Sequence, residues 1–233
     1  MPFPFSPEEL TAIRLSLRVA LWATVLSLPA GIAVAWLLVR CRFPGRLLLD
    51  GLVHLPLVLP PVVTGYGLLL LFGRQGPLGR LLAEAGIVLA FNWTGAVLAA
   101  AVMAFPLLVG AVPRARVAPA RRLAQAAAPR GAPPPLVFLT VTLPLMLPGI
   151  LAGAVLCFAK ALGEFGATIT FVSNIPGRTQ TLPSAIYSQT QVPGGDAAAL
   201  RLTLVAAVIA ILALLASEVL ARRVRRRVEG ADG

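Results

Sequence analysis

VALWATVLSLPAGIAVAWLLV, residues 19–39, lies between Arg18 and Arg40 and holds 21 residues without a charge. A helix of about 20 apolar residues spans the hydrocarbon core of a bilayer. A helix also satisfies its own backbone N–H and C=O groups, which lipid cannot do. Four further runs repeat the pattern. Between Asp50 and Arg74 lie 23 residues interrupted only by His54. Glu84 to Arg114 and Arg130 to Lys160 each bracket 29 uncharged residues. The run 202–221 carries one charge, Glu218. These predict an all-α integral membrane protein with about five transmembrane helices, at about 15–39, 50–73, 87–111, 136–160 and 198–221.

Composition agrees. Of 233 residues, 58% are hydrophobic and 12% charged, and the mean hydropathy is +0.87. A soluble domain carries about 25% charged residues, so much of this surface faces something other than water. The net charge of +11 raises nucleic acid as a partner. No aromatic interleaving of the kind that stacks bases accompanies the arginines, which sit mostly between apolar runs. No nucleic-acid partner is expected. Residues 1–9 hold Glu8 and Glu9 and no basic stretch, so an uncleaved first helix preceded by an extracytoplasmic segment is expected rather than a signal peptide. Cys41 and Cys157 have no paired spacing and read as small apolar residues.

The basic residues orient the spans. Arg40, Arg42 and Arg46 form one group, Arg114, Arg116, Arg121, Arg122 and Arg130 a second, and the tail 222–233, with Arg222, Arg223, Arg225, Arg226 and Arg227, a third. With five spans, all three lie on one side, which the positive-inside rule makes cytoplasmic. The N-terminus is then outside and the C-terminus inside. A sixth candidate, 165–193, is rich in Ser, Asn, Thr, Gln, Pro and Gly; it reads as an extracytoplasmic or re-entrant segment, since irregular backbone is too costly in lipid. Pro56, Pro60 and Pro61 in the second span, and Pro144 and Pro148 in the fourth, read either as ordinary kinks or as broken helices lining a path.

The loop at 113–135 carries the most specific motif. It reads Gln125-Ala126-Ala127, three residues, Gly131, nine residues, then Val141-Thr142-Leu143-Pro144. This resembles the EAA motif of ABC-importer permeases, a short cytoplasmic helix that docks on the ATPase subunit. A compact helix joined to two spans can convert nucleotide-driven closure into tilting of those spans. Further blocks are similar to the molybdate permease family: Trp36 to Gly45, His54 to Val63 with Gly65-Tyr66, Ala161 to Thr168, Phe171 to Gly177, and Thr181 to Tyr187. The resemblance covers most of residues 10–220. It implies a type I ABC-importer permease fold over 10–221 in the cytoplasmic (inner) membrane. It also implies a homodimer, two ATP-binding cassette ATPase subunits and a periplasmic oxyanion-binding protein as partners. The implied cargo is molybdate or tungstate, with sulfate or thiosulfate as the alternative. The chain has no Gly-x-x-x-x-Gly-Lys-Ser/Thr phosphate loop, and Lys160 is its single lysine, so ATP hydrolysis by that device belongs to another polypeptide.

The coupling loop also departs from the family. Ala124 stands where an acidic residue is expected, and Pro129, Pro133, Pro134 and Pro135 fall where a helix and its exit belong. An interior proline costs about 3 kcal/mol. Two accounts fit: a shortened helix at 121–128 with stiffened exits, or a local reading-frame shift.

Among individual residues, Glu164 reads as a gate or mouth anchor, or as a helix-end ion pair with Lys160 four residues earlier. As a carboxylate it is a poor ligand for an anion. Thr168, Thr170, Ser173 and Asn174 could hydrogen-bond a passing oxyanion through weak contacts, and Arg178 could attract one or simply be a solvated loop arginine. Asp50 and His54 read as an interfacial pair, and Glu218 as a partner for Arg222. No catalytic, metal or cofactor site is expected. A membrane-embedded transferase would need a cluster of catalytic side chains, against which a single histidine argues. An assembly protein without transport is the other alternative, and co-purification with an ATPase subunit separates it.

Overall fold

The computed structural model describes residues 5–41, 43–111 and 143–229, and among these every regular element is a helix. The helices are α1 (Pro7–Arg40), α2 (Arg46–Val58), α3 (Pro61–Phe72), α4 (Pro77–Glu84), α5 (Trp93–Ala111), α6 (Leu143–Leu162), α7 (Gly166–Val172), α8 (Leu182–Thr190) and α9 (Asp196–Glu229). Among the described residues, three stretches are long and apolar enough to cross a bilayer: Pro7–Leu38, Trp93–Ala111 and Asp196–Ala216. Two bent pairs, α2 with α3 and α6 with α7, raise the number to as many as five if each pair is one span.

Helix α1 starts earlier than its apolar run predicts. The boundary expected at residue 9 and the span start near 15 both fall inside it. The cause is a capping box. Ser6 Oγ accepts the Glu9 N–H at 3.1 Å, the Ser6 N–H donates to Glu9 Oε2 at 2.7 Å, and Pro7 occupies the first turn. This satisfies two of the orphan donors at a helix start. The 34 residues of α1 extend about 51 Å, well beyond the bilayer core. Helix α9 likewise outruns the expected 198–221, so the basic tail begins as a continuation of the helix.

The second expected span is not one rod. The chain bends by 115° between α2 and α3. Leu59 and Pro60 each precede a proline, and such residues are pushed out of the helical region by the following ring. Both are extended, with ψ of 142° and 135°. Pro56, by contrast, is held within α2. The fourth expected span continues to Leu162, breaks at Gly163-Glu164-Phe165, and resumes as α7 at 58°. The polar segment 165–193 therefore contains two short helices, α7 and α8, of 7 and 9 residues. Neither reaches across a core of about 30 Å.

Helix α5 is the axis of the bundle. Ala96, Ala99, Ala100 and Ala104 on α5 and Ala20 and Ala23 on α1 are buried in one cluster with Cys157 of α6. Small side chains let helix backbones approach closely, which drives association where lipid offers no hydrophobic gain. Helix α9 is mostly exposed, with Leu204, Val208, Ile211, Leu212 and Leu215 all outward, as a lipid-facing helix requires.

Candidate functional site

The two breaks meet. A methyl added at Gly166 would lie 2.7 Å from Pro61 Cβ, and one added at Gly65 would lie 2.5 Å from the Ala167 carbonyl oxygen. The N-terminal turns of α3 and α7 are therefore in backbone contact, and each needs glycine where they touch. Thr64, beside this crossing, has a buried Oγ1 without a hydrogen-bond partner.

Glu164 sits at the turn between α6 and α7 and is 2% exposed. Its Oε2 receives Lys160 Nζ at 2.9 Å, and its Oε1 accepts the Ala167 N–H at 3.0 Å. One oxygen thus binds the last turn of α6 and the other caps the first turn of α7, where an anion is favoured by the helix dipole. The geometry contains the ion pair that sequence spacing suggests, and adds a cap that spacing does not reveal.

Thr168 and Thr170 share this region, but their hydroxyls point back along the chain. Thr168 Oγ1 donates to the Phe165 carbonyl at 2.8 Å, and Thr170 Oγ1 donates to the Gly166 carbonyl at 2.8 Å. Ser173 ends α7 with φ of 66°, and its side chain is exposed. Asn174 belongs to a different setting. Its Nδ2 donates to Ser188 Oγ at 2.7 Å, and its Oδ1 is buried without a partner. It lines a cavity of about 310 Å³ with Glu8, Glu9, Gln180 and Gln189. Arg178 is an exposed loop residue. The structure thus brings Glu164, Thr168 and Thr170 together and sets Ser173, Asn174 and Arg178 beyond α7. Asp50 and His54 lie within 3.4 Å, and Arg222 Nε donates to Glu218 Oε1 at 2.6 Å.

Of the coupling-loop residues, Gln125, Ala126, Ala127 and Gly131 lie outside the described residues. Leu143 and Pro144 open α6. Among the described residues no three His, Cys, Asp or Glu side chains converge as metal ligands.

Two ties escaped the sequence reading. Glu9, 4% exposed, receives Arg201 Nη2 at 2.8 Å, fastening α1 to α9. Ser16 Oγ accepts the Leu182 N–H, fastening α1 to α8. The capping box at Ser6 and Glu9 was a legible signal for the first residues. Nothing local marks Arg201 or Leu182 as their partners.

Comparison with known proteins sets this geometry in a family. Residues 27–226 match the model of the binding-protein-dependent transport system inner membrane component. The molybdenum transport system permease protein ModB of Escherichia coli K12 is 57% identical over 220 residues, covering 94% of this chain and 96% of the relative. ModB of Haemophilus influenzae is 52% identical over 221 residues, with the same coverage. The sulfate transport system permease protein CysT of Salmonella typhimurium is 34% identical, over 97% of this chain and 81% of its own. Among solved structures, an amino acid ABC transporter with histidines superposes with a TM-score of 0.59 at 18% identity, covering 95% of this chain and 94% of that one. That likeness is one of fold. A chain whose described elements are all helices, with two bent helix pairs packed at their breaks, and which matches over residues 27–226, belongs to the inner-membrane permease family of binding-protein-dependent transport systems.

Proposed function

We propose that this chain is the permease subunit of an ATP-driven importer that carries molybdate across the cytoplasmic membrane. The observation that carries the reading is the 57% identity to a molybdenum permease over nearly the full length of both chains. The 34% identity to the sulfate permease places sulfate second. The chain is a transport subunit and not an enzyme, and it works beside ATPase and binding-protein partners as its family does.

Five spans run N-out and C-in, two copies form the path, and a periplasmic protein delivers the oxyanion. The basic groups at 40–46, 114–130 and 222–227 support this orientation. The coupling loop 113–135 precedes α6 in the sequence, and the 20 residues of α6 make a rod of about 30 Å. Closure of two ATPase subunits pushes the loop, and α6 carries the displacement to Glu164. From there it reaches α7 and, through the Gly166 and Gly65 contacts, α3. Glu164 serves as the anchor of that hinge and not as an anion ligand. Thr168 and Thr170 have spent their hydroxyl protons on backbone carbonyls, leaving a passing anion only weak contacts, which suits transport. Ser173, Asn174 and Arg178 stand at the extracytoplasmic mouth.

The test is reconstitution of the full complex in liposomes, reading ATPase stimulation and labelled molybdate uptake. Molybdate should stimulate both. Stimulation by sulfate without molybdate, or a chain that never co-purifies with an ATPase subunit, would overturn the proposal.

A further inference from the structure

A second feature lies away from the crossing of α3 and α7. Helices α1, α2 and α5 enclose a cavity of about 820 Å³ that opens to the outer surface of the bundle. Its length is set by Trp22, Leu26 and Val34 on α1 and by Trp93, Val97 and Phe105 on α5. Trp22 and Leu26 are 45% and 60% exposed, so the cavity is a groove and not a closed core void. Ser27 and Thr94 are the hydroxyl-bearing residues in an otherwise apolar lining. Such a wall cannot compensate an oxyanion for its lost water, so the groove is not the transport path.

The mouth of the groove is basic. Arg18 Cζ lies 3.7 Å above the Trp93 ring, one helical turn before Trp22. Arg18 and Arg40 are 22 residues apart, about 33 Å along α1, close to the thickness of a hydrocarbon core of about 30 Å. Arg18 therefore stands at headgroup level. Trp22 and Trp93 beside it are the residue type that concentrates there. From Trp22 to Val34 the groove descends about 18 Å, roughly one leaflet. Among the described residues no carboxylate pairs with Arg18. A guanidinium stacked on an aromatic face keeps its edge N–H groups available, and their fork matches a phosphate.

We propose that the groove between α1, α2 and α5 holds an acyl chain of one anionic phospholipid whose phosphate pairs with Arg18. A polar head at Arg18 and a chain running past Leu26 to Val34 satisfy both the charge and the apolar depth. A transmembrane helix from a second copy would fill the depth but bring no anion to the mouth.

The experiment uses the full chain in phosphatidylcholine nanodiscs, with W22F and W36F leaving Trp93 as the single tryptophan. Phosphatidylglycerol brominated at mid-chain is titrated in, and quenching of Trp93 is read. Trp93 should be quenched with saturation at low mole fraction. The half-quenching fraction should rise about fivefold in R18Q, the worth of one interfacial arginine to an anionic lipid, and rise less in R18K, which keeps the charge but loses the stacked fork. Ala101→Phe, which fills the groove, should abolish the saturable phase. Quenching of Trp93 that follows bulk mole fraction and ignores R18Q would overturn the proposal. So would a Trp93 shielded from lipid while L26C chains cross-link to each other, because a second copy would then occupy the groove.

Discussion

Gly65→Ala tests whether the crossing of α3 and α7 is as tight as its geometry requires. The added methyl would meet the Ala167 oxygen at 2.5 Å, its Cα at 2.8 Å and its carbonyl carbon at 3.0 Å. All three are backbone atoms, so no side chain can swing aside. Helix α7 must retreat by about 0.9 Å to restore the 3.4 Å at which ordinary contact begins. Overpacking of this kind costs about 1–3 kcal/mol. A Gly to Ala change inside a helix also gains up to about 1 kcal/mol of propensity. Gly67→Ala removes that ambiguity: Gly67 lies two residues on in the same helix, and a methyl there meets nothing within 4 Å. The difference between the two variants isolates the crossing. At about 2–4 °C per kcal/mol for a chain of this size, G65A should melt roughly 2–12 °C below G67A in the same detergent or nanodisc. Equal melting temperatures would refute the claim that these backbones touch.

Three other perturbations follow from the same geometry. K160M strands the Glu164 carboxylate, which is 2% exposed, at a cost of about 3–5 kcal/mol; K160M/E164Q should recover most of it in thermal melts, because glutamine still caps Ala167. R201M should destabilise by about 3 kcal/mol or more, since it leaves Glu9 buried and charged, while E9Q, whose amide oxygen can still receive the Ser6 N–H, should cost less. Replacing both Pro60 and Pro61 by alanine removes the steric reason for the bend; spin labels at Leu48 and Tyr66 should move from roughly 16 Å to about 27 Å apart along the helix axes, and an unchanged distance would assign the bend to tertiary packing.

The long apolar helices were legible because hydropathy acts over about 20 residues and needs no partner. The bends were half legible. Pro60-Pro61 announces a break through local sterics, yet its angle depends on where α3 finds packing, and that contact is with Gly166, a hundred residues away. Gly163 to Gly166 carried no proline and read as the end of a span rather than a turn between two helices. Spacing found the Lys160–Glu164 and Glu218–Arg222 pairs because i and i+4 share a helix face. It could not find Glu9–Arg201, where the partners meet only after α1 and α9 dock. Thr168 and Thr170 illustrate the converse. Composition marks them as hydrogen-bond donors, and only the rotamer reveals that their own helix already uses them.

The two bends differ in what holds them, and that difference assigns them different mechanical roles. The break at 59–60 is imposed by proline rings acting on the residues before them, and the backbone contact of α3 with α7 fixes its angle. The turn at 163–165 is held by side-chain chemistry: one carboxylate, through one oxygen to Lys160 and the other to the Ala167 N–H. Breaking such contacts costs about 1.5–3 kcal/mol for each hydrogen bond to a charged group, which is within reach of a conformational cycle. Displacement carried along α6 is therefore expected to be absorbed at Glu164, while α2 and α3 move as a fixed elbow. Because Gly65 and Gly166 leave no gap between α3 and α7, the elbow cannot stay behind when α7 swings. Labels on α6 and α7 should change separation with nucleotide, and labels on α2 and α3 should not.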